Sequence, residues 1–248
     1  MSKVRYLKVT FANNLLAREV PCFRAAVIEA TKRQSSLFHN HKSDSSSIYR
    51  YPLIQYKTQY KKASIICLNE GTDDIHYLFQ RRDLDLRIGE REETFEIEDI
   101  HLKYFNVQCW QGHFEYALKD WQALNQENYK RYMALTTEVE RLQFLEKLLI
   151  GNLLAFAKGI GWDVQGQLEA QITRMKGERW LPYKGHKSLC FSLNFRCNAS
   201  LPNFVGLGKG ASVGYGSLLE IGNRKLGGMK YEMRNAKCEE QTANHEQQ

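Results

Sequence analysis

The order in which apolar residues change their spacing constrains this chain most. Over Val4 to Phe11, Val4, Tyr6 (weakly), Val9 and Phe11 mix with Arg5, Lys8 and Thr10, which reads as a first strand. Pro21 then opens a helical stretch, where a missing N–H costs nothing. Phe23, Ala26, Val27 and Ala30 follow at i, i+3, i+4 and i+7, which gives one apolar helix face. The helix is expected to end near Lys32-Arg33. Tyr49 to Tyr56 and Ala63 to Leu68 read as two strands joined by a polar turn over Lys57 to Lys62. Gly71-Thr72-Asp73-Asp74 begins a second helix whose acidic first turn suits its dipole, and Ile75, Leu78 and Phe79 mark its apolar face. Leu84 to Ile97 alternates as an extended hairpin. The sum is β-α-β-β-α-β, the order of a ferredoxin-like sheet.

A second, less regular pass follows. Ile100 to Trp110 and His113 to Leu118 read as strands around Gln111-Gly112, and Asn125 to Leu135 as a helix. Thr137-Glu138-Val139-Glu140 is a capping box ahead of the longest helix, Arg141 to Lys158. Leu142, Leu145, Leu148, Leu149, Asn152 and Phe156 lie on its inner face, and Gly159 and Gly161 end it. Val164 to Met175, Lys187 to Cys197 and Val213 to Ile221 complete the strands. The reading is an α+β chain of two ferredoxin-like, RRM-like βαββαβ halves in tandem: 1–98, 99–231, and a polar tail, 232–248, without periodicity and expected to be disordered. No glycine- or serine-rich linker lies near Glu98 to Ile100, so the halves are expected to pack together.

Between the last two strands lies Gly206-Leu207-Gly208-Lys209-Gly210-Ala211-Ser212-Val213-Gly214-Tyr215-Gly216. Five glycines in eleven residues let a backbone turn several N–H groups towards one anion. Lys209 adds a charge and Ser212 a neutral donor. A P-loop is excluded, because Gly210 follows Gly208-Lys209 where Ser or Thr is needed and Asn203 stands where the first glycine belongs. A dinucleotide fingerprint is excluded because the next residues read as a strand. Nucleotide hydrolysis is thereby disfavoured. A net charge of +7 and a pI of about 9.0 suit a polyanionic partner.

The run Ser200 to Gly216 resembles the C-terminal glycine-rich loop of the RAMP superfamily. More narrowly it is similar to the CRISPR-associated endoribonucleases that cut repeat RNA into guide RNA. Pro21 to Ile28, Tyr51 to Lys57 and Leu149 to Leu154 carry the same resemblance. It implies tandem ferredoxin-like halves, a CRISPR repeat RNA as single strand or hairpin, and cleavage without metal or other cofactor. Effector proteins of the same system and a second copy of the chain stay open as further partners.

The resemblance also directs attention to His39 and His41, in the polar loop after the first helix. Histidine suits general acid–base transfer near neutrality. The reaction implied is attack of a ribose 2′-hydroxyl on the adjacent phosphorus, leaving a 2′,3′-cyclic phosphate and a 5′-hydroxyl. His41 is the first choice and His39 the second. Lys57 is expected to hold phosphate charge, and Tyr56, Tyr49 or Tyr51 to orient the attacking group. A solvated polar loop and a basic turn are the plain alternatives for these residues. For RNA binding the candidates are Arg174, Lys176, Arg179, Lys184 and Lys187, with Trp180 or Tyr183 stacking on a base, together with Gly206, Gly208, Lys209, Gly210, Ser212, Gly214 and Gly216. His186 is the runner-up catalytic histidine. A non-catalytic RNA-binding subunit of the same superfamily is the alternative function.

Other classes are bounded more simply. The six cysteines, Cys22, Cys67, Cys109, Cys190, Cys197 and Cys238, form no CxxC pair. That argues against a zinc ribbon or a disulfide framework and for a reducing compartment. No signal peptide is visible, and the apolar run near Leu148 to Phe156 is too short to span a membrane. A cytoplasmic protein is expected.

Overall fold

The computed structural model describes residues 2–31, 35–39, 51–81 and 83–222. The first half begins with strand β1 (Ser2–Asn14) and helix α1 (Val20–Ala30), followed by the single turn α2 (Ser36–His39). Strands β2 (Ile54–Gln59) and β3 (Lys62–Leu68) come next, then the short helices α3 (Glu70–Asp74) and α4 (His76–Phe79). A small hairpin, β4 (Asp85–Ile88) and β5 (Arg91–Thr94), leads into β6 (Ile97–Val107). The second half runs β7 (Cys109–Trp121), α5 (Gln126–Ala134), α6 (Glu138–Gly159), β8 (Ala170–Tyr183), β9 (His186–Ala199) and β10 (Ser217–Glu220).

Each half forms one four-stranded antiparallel sheet. The orders are β2-β3-β1-β6 and β10-β7-β9-β8. Counted within its own half, each sheet has its first and third strands in the centre and its second and fourth at the edges. This is the ferredoxin-like arrangement the periodicity predicts. The two differ at the crossover between third and fourth strands. In the first half it carries α3, α4 and the β4–β5 hairpin. In the second it is the glycine-rich segment, which contains only the 3-10 turn Ala211–Val213.

Three readings of the sequence change. The strand expected from Ile100 to Trp110 is the last strand of the first sheet, paired with β1 from Ser2↔Val107 to Phe11↔Ile97. The division drawn between residues 98 and 99 falls inside that strand, and β7 runs straight through Gln111-Gly112. Lys57 is not in a turn: β2 continues to Gln59, and the turn is Tyr60-Lys61, both at positive φ. The basic stretch from Arg174 to Lys187 is the distal part of a long β8–β9 hairpin whose turn is Lys184-Gly185. The tail expected to be disordered lies outside the described residues.

Alternation along β1 decides how the halves meet. Leu7, Val9 and Phe11 join Phe23, Val27 and Tyr56 in a core beneath α1. Val4 and Tyr6 face the other way, into a second core shared with Leu145, Leu149, Leu153 and Phe156 of α6 and with Phe191, Phe195, Val205 and Leu207. A core built by both halves leaves no swinging linker. The capping box of α6 forms as predicted: Glu140 N–H donates to Thr137 Oγ1 at 3.2 Å and Thr137 N–H to Glu140 Oε2 at 3.1 Å. Among the described residues no helix is long and apolar enough to cross a membrane.

Candidate functional site

The glycine-rich segment lies against the edge strand β2, and polar side chains of the first half seat it. Gln55 and Lys57 are two apart on β2 and so share a face. Gly206 N–H donates to Gln55 Oε1 at 2.7 Å, while the Tyr51 hydroxyl donates to Gly206 O at 2.8 Å. Gln55 Nε2 in turn donates to the Tyr51 hydroxyl at 2.8 Å. Lys57 Nζ donates to Ala211 O at 3.2 Å. Farther back, the Tyr6 hydroxyl donates to Asn203 O at 3.0 Å.

Much of the segment's donor capacity is spent within the protein. The N–H of Leu207 donates to Gly216 O, that of Lys209 to Gln122 O, and those of Val213 and Tyr215 to Gly210 O. Gly216 N–H donates to Asp120 O. Space, as much as anion chemistry, explains the glycines. A Cβ on Gly206 would stand 2.8 Å from Ala211 Cα, and one on Gly208 2.7 Å from Trp121 Nε1 and Asn152 Oδ1. Gly216 has φ +60°, and a Cβ there would overlap the Leu207 carbonyl oxygen. Gly210 and Gly214 flank the 3-10 turn that carries half-buried Ser212.

Lys57 is buried, with 2% of its surface exposed. Burial disfavours its ammonium and brings its pKa down to about 7. The amine is held at the edge of the glycine-rich segment by its hydrogen bond to the Ala211 carbonyl.

Tyr56 points to the opposite face and is a correction. Its ring lies edge-on to Phe23 inside the first core, and burial pushes its hydroxyl well above the ordinary tyrosine range. The hydroxyl donates to Phe38 O at 3.3 Å. Tyr56 therefore does not reach a substrate; it fixes α2. The chain neighbours of that hydrogen bond are His39 on one side and Lys57 on the other. Ser35 secures the other end of α2, accepting from Leu37 N–H at 3.1 Å and donating to Asp74. His39 is the last residue of α2. His41 and Tyr49 lie outside the described residues.

The basic candidates divide. Arg179 is spent: its Nε and Nη2 donate to the two carboxylate oxygens of Asp120 at 2.8 and 2.7 Å. Because Asp120 O also accepts from Gly216 N–H, this pair ties the hairpin to the glycine-rich segment. Arg174, Lys176, Lys184, Lys187 and Lys209 are exposed. At the hairpin end Tyr183 gathers charge, with Lys209 Nζ 5.2 Å and Lys184 Nζ 5.8 Å from its ring centre. Tyr215 meets the same ring edge-on at 5.7 Å and donates its hydroxyl to Pro182 O. The His186 ring lies 5.9 Å from Tyr183. Trp180, 52% exposed, packs edge-on to Tyr129. The result is an aromatic and cationic surface running from the hairpin tip to Lys209.

Sequence reading missed Gln55 and Asp120. Gln55 had a signal: Gln55, Lys57 and Gln59 follow one another at every second residue, three polar side chains on one face of β2. Asp120 had none, because its partner is 59 residues away.

Two four-stranded sheets of one ferredoxin-like order, the second closed by a glycine-rich crossover, define a tandem ferredoxin-like protein. Family comparison is more specific. The Cas6b N-terminal domain model matches residues 2–106 and the Cas6b C-terminal domain model residues 108–221, and the chain belongs to the Cas6b family. An uncharacterized protein of Methanocaldococcus jannaschii is 33% identical over 104 residues, 42% of this chain and 69% of that protein. A crystal structure of Cas6b superposes with a TM-score of 0.81 at 24% identity, covering 89% of this chain and 100% of the other. A second, of a CRISPR RNA processing endoribonuclease Cas6b, gives 0.68 at 22% identity over the same shares. These two likenesses concern the fold.

Proposed function

We propose that this protein is an endoribonuclease that cleaves CRISPR repeat precursor RNA and so matures guide RNA. The cut is made by the ribose 2′-hydroxyl on its neighbouring phosphate and needs no metal. One group takes the 2′ proton, another protonates the departing 5′ oxygen, and the products carry a 2′,3′-cyclic phosphate and a 5′-hydroxyl. His41 and His39 are assigned to proton transfer, each worth roughly 10²–10⁴-fold. Lys57 supplies or relays a proton beside the phosphate. Lys184, Lys187, Lys209, Arg174 and Lys176 hold the RNA backbone, with Tyr183 and Trp180 offering faces for unpaired bases. Arg179 positions the hairpin through Asp120. Gly206, Gly208, Gly210, Ser212, Gly214 and Gly216 shape the wall along which the strand lies.

The observation that carries this reading is the hydrogen bond from Tyr56 to Phe38. It sets the end of α2, where His39 stands, beside the strand from which Lys57 reaches the glycine-rich segment. Membership in the Cas6b family supports the substrate class.

The test is incubation of the purified protein with the repeat RNA of its own host in EDTA, beside His39→Ala, His41→Ala and Lys57→Ala. A single cut ending in a cyclic phosphate is expected, lost when the ribose before the scissile phosphate lacks its 2′-hydroxyl. One histidine variant should lose cleavage while keeping binding. Wild-type protein that binds this RNA and leaves it whole would make it a non-catalytic RNA-binding subunit instead.

A further inference from the structure

We infer that RNA has a second contact on this protein: a patch of Lys8, His101, Lys103 and Phe204 on the first sheet, which holds an unpaired flank of the repeat away from the cleavage site. The inference rests on the RNA substrate of the preceding section but not on its cleavage chemistry.

Sheet register assembles the patch. On the face turned away from α1, Lys8 stands opposite His101 and Tyr6 opposite Lys103, and directly opposed residues share a face. The row of Lys8 runs on through Ile66 to Gln55, the side chain that seats Gly206. Gln55 and Lys8 are two strand spacings apart, about 10 Å. The chain entering the glycine-rich segment crosses that interval. The Tyr6 hydroxyl donates to Asn203 O at 3.0 Å, Phe204 follows, and Gly206 reaches Gln55. A strand of RNA lying along the segment is thereby led onto the face where Lys8 and His101 stand. Asp99, opposite Thr10 in the neighbouring pair, marks the limit of the patch.

Three features make this face a binding surface. Lys103 is half-buried, with Nζ 5.3 Å from the centre of the Tyr6 ring and 5.8 Å from that of Phe105. Burial, then the neighbouring Lys8, hold its pKa below the ordinary lysine value, and Glu220 offsets them only in part. Folding has gathered two like charges that an anion between them would relieve. Second, Lys8 Nζ lies 5.5 Å from the centre of the Phe204 ring. Cations interleaved with rings are the means by which proteins hold single strands, phosphates on the charges and bases on the faces. Third, Phe204 has φ +66°, a conformation bulky residues rarely adopt. Its N–H donates to Leu218 O at 2.6 Å, which pins the half-buried ring beside Lys8.

The experiment measures binding of the host repeat RNA, with a 2′-deoxyribose before the scissile phosphate, by fluorescence anisotropy over a salt series. Lys8→Met and Lys103→Met keep the aliphatic stems and should each lower the salt slope by about 0.7, one phosphate on a single strand. Lys8→Arg and Lys103→Arg should keep the wild-type slope. His101→Glu puts an acid into the patch and should weaken binding; as an exposed change it keeps the test valid if a Met variant fails to fold. Shortening the RNA from one of its two ends should abolish the difference between wild type and Lys8→Met. An unchanged slope in both Met variants, wild-type affinity in His101→Glu, or a difference that survives shortening from each end would overturn the proposal. Cleavage is scored separately on all-ribose RNA. Uncut RNA with a lysine-dependent slope would refute the endoribonuclease reading and leave the patch standing, and a cyclic-phosphate cut with a lysine-indifferent slope would do the reverse.

Discussion

The two halves share one strand order but differ in how the chain passes from third to fourth strand. In the first half, α3 and α4 make the crossing and satisfy much of their own backbone. In the second, the glycine-rich segment crosses with one 3-10 turn and borrows its partners: Gln55, Tyr51 and Lys57 from the other half, Asp120 and Gln122 from the end of β7. A helix presents side chains and keeps its peptide groups inside. A segment with a glycine at five of eleven positions can be seated closely against another strand. The first crossing therefore stabilises the fold, and the second brings a wall of backbone to the place where α2 and β2 meet.

The largest test of this contrast is Gly216→Ala against Gly89→Ala. Both glycines have similar positive φ, +60° and +65°, but Gly89 turns the β4–β5 hairpin with nothing near an added Cβ. Gly89→Ala should cost about 1 kcal/mol, the backbone term alone. Gly216→Ala adds overlap with a backbone carbonyl and should cost about 3 kcal/mol or more. Urea denaturation of both variants measures the difference, and equal losses would refute close packing as the reason for Gly216.

Gln55→Ala comes next. It leaves the buried Gly206 N–H without its acceptor, which should cost about 1–3 kcal/mol, and it loosens the segment at its seat. Cleavage should fall beyond what the stability loss explains, seen as a lower single-turnover rate at temperatures where the variant is fully folded.

Lys57 gives a pH signature. The fold holds its pKa down at about 7, whereas an unfolded lysine titrates near about 10.4. Between those values the unfolded chain binds a proton that the folded chain does not, so this group makes stability rise with pH there. The difference in thermal midpoint between wild type and Lys57→Met should shift in favour of wild type as pH rises from about 7 to about 10. A difference flat across that window would show the ammonium to be charged and paired.

The smallest effects belong to the hairpin surface. Lys184→Ala and Lys209→Ala should each reduce the salt dependence of RNA binding by about 0.7 in slope, one phosphate on a single strand. Arg179→Ala should leave that slope nearly unchanged, because its fork is held by Asp120. Its cost should fall on stability, within about 1 kcal/mol for so exposed a pair. A full loss of slope in Arg179→Ala would mean that RNA displaces Asp120.

What the sequence determined by itself was local. The alternation of β1, the apolar face of α1 and the Thr137–Glu140 capping box depend on neighbours within a few residues, and each forms where its pattern says. The five spaced glycines likewise marked a segment under backbone constraint. Tertiary structure decided what those residues touch. Ile100 to Val107 has the same strand pattern whichever sheet it joins, and only pairing with β1 assigns it to the first. Tyr56 and Lys57 are adjacent and equally polar at their tips. Side-chain alternation across an edge strand sends one into the core to hold α2 and the other to the glycine-rich segment. Arg179 reads as a free cation until a carboxylate 59 residues away folds beside it. Contacts at such separations leave no periodic trace in a single chain, because they are set by how two sheets pack rather than by how either strand is patterned.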